Sequence, residues 1–314
     1  MAKHLKVAAA QLGPIQRSDT REDVVKRLIA LLREAHASGC RLVVFPELAL
    51  TTFFPRYYMQ DQSEVDAYFE REMPNRATQP LFDEAKRREV GFYLGYAELT
   101  EDAGKTKRFN TSILVAPDGR VVGKYRKIHL PGHSDHRPQS PFQHLEKRYF
   151  DVGDLGFKVW RAFGAILGMC ICNDRRWPET FRVMGLQGAD MVLLGYNTPD
   201  TNIYHAEPVH RRMFHHLLSL QSGAYQNAAW VVAAAKAGNE DGFGLIGGSA
   251  IVAPTGEIVA QALSEGDEII AYNCDLDIGR DLKENIFNFA RHRRIEHYKR
   301  ITEQAGVVYP PEDP

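Results

Sequence analysis

A cysteine followed closely by two arginines is the feature of this sequence that most directly suggests chemistry. An apolar run from Ala165 ends at Cys172, and Arg175 and Arg176 follow it. The next segment, 177–180, predicts a helix start, because proline suits a first helical turn and acids suit its N-terminal dipole. Backbone N–H groups at a strand-to-helix turn lower the pKa of a thiol. Cys172 is therefore expected to be a nucleophile, although a buried, inert cysteine is the commoner case.

A cysteine nucleophile also needs a base and a group that stabilises the developing oxyanion. Glu47 follows the apolar segment 43–46, so its carboxylate is expected in a dry pocket where burial raises its pKa towards that of a general base. Lys127 ends the basic segment 124–127 after a predicted hairpin strand. The ordinary alternatives are a solvated loop glutamate and a basic surface edge.

Alternating strands and helices must position these residues. Strands are predicted at 5–12, 41–45, 91–98, 110–115, 120–124, 191–194, 230–235, 249–252, 257–260 and 268–274. Helices are predicted from a Thr20 cap to Gly39, at 79–89, from 177 to about 188, and at 209–227. This alternation predicts an α/β fold.

Two similar segments, 112–122 and 249–259, add a constraint on the architecture. Each is expected to form a strand, a Pro-x-Gly turn and a second strand. If the likeness is a true repeat, two similar layers pack as two sheets face to face with helices outside. The alternative is chance convergence on a common hairpin.

Composition restricts the class of protein. The 314 residues are 44% hydrophobic and 25% charged with a formal net charge of -1, which argues against nucleic acid or an anionic membrane as the partner. No apolar run approaches the ~20 residues of a membrane span, and no apolar signal region is found. The four cysteines are too few for a disulfide framework and lack the spacing of a zinc site. A single domain over 1–314 in a reducing cytoplasm is expected.

Three motifs in chain order carry a resemblance to a known superfamily. Phe45-Pro46-Glu47, the segment 124–127 and the segment around Cys172 resemble the motifs of the nitrilase, or carbon–nitrogen hydrolase, superfamily. The segments 46–54, 129–133, 141–150 and 172–179 look like those of the N-carbamoyl-D-amino acid hydrolases within it. The resemblance implies an α-β-β-α sandwich of two mixed sheets, no metal or organic cofactor, and a homo-oligomer, either dimer or tetramer. The C-terminal tail, about 280–314, is expected in oligomer contacts.

The resemblance also implies roles for individual residues. Glu47 would be the base, Lys127 the oxyanion stabiliser and Cys172 the nucleophile of a Glu-Lys-Cys triad. Glu146 is a second carboxylate that similar enzymes place beside the lysine, and a surface salt bridge is its alternative. The N–H of Asn173 is a candidate second oxyanion donor.

The remaining candidates are expected to bind substrate. Arg175 and Arg176 suit the carboxylate of an N-carbamoyl amino acid, with Arg176 as the stronger anchor, unless one of them pairs with a structural acid such as Asp174 or Glu179. Asn197 and Thr198 are expected to line the same pocket, with an ordinary turn as the alternative. His129 and His144 could hydrogen-bond the site or the ureido group, and the alternative is that they are solvated.

The sequence therefore predicts cysteine-dependent hydrolysis of N-carbamoyl-D-amino acids to the amino acid, carbon dioxide and ammonia. A β-ureidopropionase, an aliphatic amidase or a nitrilase of the same fold is the nearest alternative, and the paired arginines favour an acid-bearing substrate. A non-enzymatic relative is a second alternative, but it would have no need for all three triad groups.

Overall fold

The computed structural model describes residues 3–140, 142–201 and 207–312. The strands are β1 (His4–Gln11), β2 (Leu42–Val44), β3 (Gly91–Asp102), β4 (Lys105–Val115), β5 (Val121–Arg126), β6 (Val159–Ala162), β7 (Ala165–Ile171), β8 (Met191–Tyr196), β9 (Trp230–Ala235), β10 (Ala237–Glu240), β11 (Phe243–Ile246), β12 (Ala250–Val252), β13 (Ile258–Gln261) and β14 (Glu268–Asp275). The α-helices are α1 (Arg21–Ala37), α2 (Gln62–Asp66), α3 (Gln79–Arg87), α4 (Glu146–Tyr149), α5 (Pro178–Leu186), α6 (Val209–Asn227), α7 (Ile278–Glu284), α8 (Phe289–His292) and α9 (Lys299–Glu303).

Two six-stranded sheets form the centre of the fold. The first has the order β14-β1-β2-β3-β4-β5 and the second has the order β13-β12-β9-β8-β7-β6. Both are mixed, with parallel pairs at the centre (β1–β2, β2–β3, β7–β8 and β8–β9) and antiparallel pairs towards the edges. The central strands are continuously apolar because both of their faces are buried.

The two sheets pack face to face. Their shared core contains Val7 and Leu114 from the first sheet and Leu167 and Val192 from the second. Tyr93 joins the layers, because its buried hydroxyl donates to the Cys170 carbonyl and accepts from the backbone N–H of β8, each at 3.1 Å. Helices α1 and α3 cover the outside of the first sheet, while α5 and α6 cover the second. The predicted α-β-β-α sandwich is confirmed.

Helix α1 illustrates how local sequence produces an element. The Thr20 side chain accepts a hydrogen bond from the Asp23 N–H at 3.2 Å, which caps the first turn. The predicted apolar face of this helix is buried, and its members are Val24, Leu28, Leu31, Leu32 and Ala35. Burial of such a stripe is what holds a helix of this length against a sheet.

The two similar segments form matching hairpins. The first is β4–β5, on one edge of the first sheet, and the second is β12–β13, on one edge of the other. Both have a register shift at the same place, between Leu114 and Val115 in one and between Ile251 and Val252 in the other. The turns close with the same backbone hydrogen bonds, Ala116 N–H to Arg120 O and Ala253 N–H to Glu257 O. The likeness therefore extends to corresponding positions in the two layers.

Some elements differ from the sequence prediction. Strands β3 and β4 form one long hairpin that continues to Asp102 and begins again at Lys105, whereas the prediction ended at 98 and resumed at 110. The residues at the projecting end of this hairpin are polar and charged, as in a loop, and the predicted strands were therefore too short. The short hairpin β10–β11 was missed because its glycine-rich segment has no apolar periodicity. No helix among the described residues combines the length and apolar character that crossing a membrane requires.

Candidate active site

Four strand ends bring the candidate residues together. Glu47 lies shortly after β2, Lys127 directly follows β5, Cys172 directly follows β7, and Asn197 directly follows β8. The first two strands belong to one sheet and the last two to the other. The site therefore lies where the ends of the two packed sheets meet.

The Lys127 ammonium lies between two carboxylates. Its Nζ is 2.7 Å from Oε1 of Glu47 and 2.6 Å from Oε2 of Glu146, and all three side chains are completely buried. These contacts use two of the three N–H donors of the ammonium. The structure thus brings the three predicted residues together and excludes the surface salt bridge as an account of Glu146.

The two carboxylates share one cation, and their pKa values separate as a result. Burial raises the pKa of Glu47, and the charge of Glu146 adds to that rise against the opposing effect of Lys127. Burial also acts to raise the pKa of Glu146, but Lys127 and His144 outweigh it, and the net shift is downward. Burial alone would lower the pKa of Lys127, yet the two carboxylates raise it. The lysine stays charged, Glu146 is the permanent anion, and Glu47 is the carboxylate suited to accept a proton.

Two asparagines fix the orientation of Glu47. The Asn110 amide donates to Oε1 at 2.8 Å, and the Asn197 backbone N–H donates to Oε2 at 2.9 Å. The Asn197 side chain also donates to the Glu47 carbonyl at 2.9 Å. Asn197 is expected in the substrate pocket, and the structure shows that it holds Glu47. Asn110 was missed, because it begins the polar run Asn110-Thr111-Ser112 and nothing in the sequence distinguishes it from its neighbours.

Two glycines form a slot for the backbone of Glu47. A Cβ on Gly95 of β3 would lie 2.7 Å from the Glu47 Cα, and a Cβ on Gly195 of β8 would lie 2.5 Å from the Glu47 nitrogen. Real side chains do not approach backbone so closely, so any larger residue would displace this segment. The backbone of Glu47 is held between one glycine of each sheet.

Cys172 occupies a strained turn at the end of β7. Its φ of 46° lies in the left-handed region, which is uncommon for residues other than glycine and typical of a nucleophile elbow. The thiol is 4% exposed, and its Sγ donates to the Asn197 carbonyl at 3.6 Å. Burial and the neighbouring Glu47 raise its pKa, although Lys127 and Arg175 oppose them. The expectation of a lowered thiol pKa is therefore wrong.

Asp174 holds the elbow in shape. Its buried carboxylate accepts from the Ile171 N–H at 3.0 Å and from the Tyr125 hydroxyl at 2.8 Å. It also accepts from the backbone N–H of His129 at 3.0 Å, and the ring Nδ1 of His129 lies at 2.9 Å. Asp174 therefore does not pair with the arginines that follow it. The ring of His129 also stacks on Trp177, so His129 contacts the turn on both sides of Asp174 in the sequence and helps to stabilise it.

His144 contacts the second carboxylate of the site. Its Nε2 lies 3.2 Å from Oε1 of Glu146, and its ring meets the ring of Phe53 edge-on. This places His144 behind Glu146, where it helps to keep that group ionised. His144 thus contacts a group of the site itself, and a contact with a ureido group stays a prediction.

The two arginines occupy different surroundings. Arg175 is 2% exposed and donates to the Cys172 carbonyl at 2.6 Å and to the Thr198 hydroxyl at 2.9 Å, with its guanidinium over the Tyr196 ring. Arg175 and Thr198 thus fix the turn that carries the nucleophile, and neither presents its bonded atoms to a ligand. Both residues were expected to bind substrate, and the structure instead shows them bonded to the protein itself.

Arg176 has no carboxylate partner among the described residues. Its Nη1 contacts only the Asn173 amide oxygen, at 3.3 Å, while the Asn173 amide nitrogen donates to the His129 carbonyl. The residue is exposed to solvent. Crowding of its guanidinium by protein and the charge of Arg175 lower its pKa to about 10, against the opposing charges of Cys172 and Glu207. A cation in such surroundings is stabilised by any anion that enters.

Comparison with known proteins identifies the family. The carbon–nitrogen hydrolase family matches residues 6–284. A nitrilase of Pyrococcus abyssi is 30% identical over 298 residues, which is 94% of this chain and 100% of that protein. This chain belongs to the carbon–nitrogen hydrolase family. An N-carbamoylputrescine amidase of Arabidopsis thaliana is 29% identical over 290 residues, covering 88% of the hydrolase and 89% of the relative.

Solved structures share the fold of this hydrolase. A carbon–nitrogen hydrolase from Helicobacter pylori superposes with a TM-score of 0.81 at 23% identity, covering 96% of this chain and 99% of the other. A variant amidase from Nesterenkonia carries the acetamide moiety of fluoroacetamide at its active site cysteine, and it matches with a TM-score of 0.71 at 19% identity over 95% and 97% of the two chains. As a member of its family, the hydrolase acts on carbon–nitrogen bonds other than peptide bonds.

The glycine slot generates a prediction about the position of Glu47. Gly195→Ala should lower kcat by about 100-fold, because a displacement of about 1 Å at a reacting group costs that much. Circular dichroism should show the fold retained. The control is Gly266→Ala, since a methyl group there meets nothing within 4 Å. Full activity in Gly195→Ala would show that this glycine does not position the base.

Proposed function

We propose that this hydrolase cleaves N-carbamoyl-D-amino acids to the free amino acid, carbon dioxide and ammonia. The observation that carries the substrate class is Arg176, an exposed guanidinium near Cys172 that forms no salt bridge with a carboxylate of the described residues, although the charge of Glu207 acts on it. An N-carbamoyl amino acid places a carboxylate a short distance from its ureido carbonyl, which matches an arginine four positions after the attacking cysteine.

The first half of the reaction forms a covalent intermediate. The Cys172 sulfur attacks the ureido carbonyl carbon while its proton passes to Glu47, which suits a thiol that is neutral at rest. The oxyanion accepts from the third N–H of Lys127 and from the Asn173 backbone N–H. When the carbonyl re-forms, one C–N bond breaks, and Glu47 returns the proton to the departing nitrogen. The product is a carbamoyl thioester (thiocarbamate) on Cys172, which retains the other nitrogen.

The second half regenerates the cysteine. Water loses a proton to Glu47 and adds to the thioester carbonyl, and the C–S bond then breaks with protonation of the sulfur. The carbamic acid formed along this route loses carbon dioxide and leaves an amine. The balance is one ureido acid and one water giving one amino acid, one ammonia and one carbon dioxide. Lys127 and Glu146 keep their charges throughout.

Electrostatics separate this substrate from that of the plant relatives. N-carbamoylputrescine, after which those enzymes are named, ends in an ammonium group. Burial lowers the pKa of both Arg176 and Arg212, and the charge of Arg175 adds to this, while Glu207 opposes it. The guanidinium of Arg176 would attract the carboxylate of a ureido acid, whereas it would not attract an ammonium group. Preference for the D enantiomer rests on the likeness of four sequence segments and is tested with both enantiomers.

The carboxylate anchor predicts the behaviour of Arg176→Ala. Arg176 is exposed in the free protein, and a bound substrate would cover its ion pair with the carboxylate. Loss of one partner of such a covered pair costs about 2–5 kcal/mol, so kcat/KM on N-carbamoyl-D-phenylalanine should fall roughly 30- to several-thousand-fold. Arg176→Lys should restore part of this, because an ammonium lacks the bidentate fork. Steady-state kinetics on both enantiomers and on N-carbamoyl-β-alanine measure these losses, with Cys172→Ala as the inactive blank.

The control for this experiment is the matching substrate whose carboxylate is a neutral amide. The wild-type enzyme should already handle it poorly, and Arg176→Ala should add little further loss. Equal losses on the acid and the amide would mean that Arg176 supports the fold rather than the substrate. Faster turnover of N-carbamoyl-β-alanine than of either α-amino acid derivative would favour a β-ureidopropionase.

We also propose that the protein is a homo-oligomer assembled through the outer face of α6. Phe214 is 60% exposed and Leu218 is 51% exposed on successive turns of this helix. A groove of about 490 Å³ lies beside it, between α5 and the C-terminal segment 286–302. Neighbouring exposed apolar side chains of this kind are typical of subunit interfaces.

Light scattering should therefore give the wild-type protein the mass of a dimer or a tetramer. Phe214→Glu should reduce the mass, because a buried charge would face the partner copy. Leu263→Glu is the matched control, since Leu263 is 88% exposed at the connection between β13 and β14. A monomeric wild type would contradict the proposal.

A further inference from the structure

A second buried cluster of charges lies next to the active site and takes no part in the chemistry above. Glu240, at the end of β10, and Lys236, just after β9, are completely buried and 2.7 Å apart. Arg56, which is 4% exposed, lies 3.0 Å from Glu240. Burying three charges is costly unless each of them is fully paired and hydrogen-bonded. A buried cluster of this kind is therefore expected to hold particular chain segments in position.

The Glu240 carboxylate gathers three chain segments. Its Oε1 accepts from the Phe53 N–H at 2.6 Å and from the Thr52 hydroxyl at 3.2 Å. Its Oε2 accepts from the Ile15 N–H at 3.0 Å and from Lys236 at 2.7 Å. Lys236 in turn donates to the carbonyl of residue 51 at 2.9 Å. The chain leaving β1, the chain leaving β2 and the chain leaving β9 are thus held by one side chain.

The segment 51–56, which Glu240 holds, supports another part of the active site. The Leu145 N–H donates to the Pro55 carbonyl at 2.7 Å, and the Gln143 N–H donates to the Arg56 carbonyl at 3.3 Å. The Phe53 ring meets the His144 ring at 5.5 Å. Segment 143–145 leads directly into Glu146. Contacts therefore run from Glu240 through segment 51–56 to the carboxylate that lies 2.6 Å from Lys127.

We infer that Glu240 is a positioning residue for the catalytic cluster, which it serves by fixing segment 51–56 and through it the place of Glu146 beside Lys127. The inference rests on the proposed roles of Glu47, Lys127 and Cys172. It does not depend on the identity of the substrate, because the contacts involve only the reacting groups and their supports.

Loss of this support has a specific electrostatic consequence. The groups that face Glu47 are Lys127, Glu146, Cys172, Asn110 and Asn197, and the charges of Glu47 and of the nearby Lys236 and Tyr93 also act on one another. If Glu146 withdraws, Lys127 retains Glu47 as its one close carboxylate, so the pKa of Glu47 falls. Arg176 stands on the elbow after β7, outside the segments that Glu240 holds, so substrate binding is preserved. Glu240→Gln also removes the charge paired with Lys236, which itself acts on Glu47, so the charge-conserving variant Arg56→Lys separates the two causes. A shift of the pH profile to lower pH in Arg56→Lys follows from the loss of position alone.

The test uses Glu240→Gln and the alkylation of Cys172 by iodoacetamide at a series of pH values, with mass spectrometry locating the modified cysteine. The variant should react about 100-fold more slowly, and the acidic limb of its rate profile should move to lower pH. On any substrate that the wild type hydrolyses, kcat should fall by a similar factor, while KM stays within about threefold.

The matched control is Glu84→Gln. Glu84 is also a buried acid that binds several arginines, namely Arg33, Arg87 and Arg88, but it lies on α3 and contacts no segment of the site. It should lose stability without a change in the alkylation rate or its pH profile. If Glu240→Gln does not fold, Arg56→Lys tests the same support from the other side and should slow alkylation about 10-fold.

The outcomes separate this inference from the proposed function. Failure of iodoacetamide to modify Cys172 in the wild type would overturn the nucleophile assignment itself. Modification of Cys172 at equal rates and with equal pH profiles in the wild type and in the folded variant would overturn the role of Glu240 alone. Slowing without a shift of the acidic limb would assign Glu240 to general stability and would also contradict the inference.

Discussion

The ammonium of Lys127 between the carboxylates of Glu47 and Glu146 is the interaction on which the rest of the site depends. Three charges are completely buried within hydrogen-bonding distance, an arrangement that is stable only if each group is fixed by the surrounding protein. One cation cannot neutralise two anions, so the cluster keeps one permanent carboxylate and one whose pKa is raised. The division of labour between an electrostatic partner and a base follows from this imbalance.

Both sheets help to fix the positions of Glu47 and Cys172. Glu47 lies in a slot between Gly95 of one sheet and Gly195 of the other, and Asn197 holds its carboxylate and its carbonyl. The nucleophile stands on a left-handed turn that Asp174 and Arg175 hold from opposite directions. Because the reacting groups come from different layers, the face-to-face packing of the sheets is itself a condition for activity.

The sequence predicted site residues best where the residue type, in its local context, suits one chemical role. Glu47 and Cys172 each follow a strongly apolar strand, a pattern that predicts their places at strand ends. Lys127 ends a basic segment, and the family resemblance is what distinguished it from its neighbours. Residues whose hydrogen-bond partners come from distant parts of the chain were harder to predict. Asn110 resembles any strand residue, and Asp174 seemed to be a counterion for arginine until the fold placed Tyr125 and His129 around it. Arg175 and Arg176 are adjacent and identical in type, and only burial distinguishes them.

The state of the resting thiol is the most direct test of this account. A lysine flanked by two carboxylates offers no net positive charge to a thiolate, so Cys172 should be protonated at neutral pH. The measurement is the ultraviolet thiolate absorbance of the wild type minus that of Cys172→Ala across a pH series. Burial raises the pKa of the other three cysteines and keeps their background low. The account predicts no difference signal at neutral pH. A clear thiolate signal there would mean that Cys172 ionises without Glu47 as its base, and the proposed division of roles would be wrong.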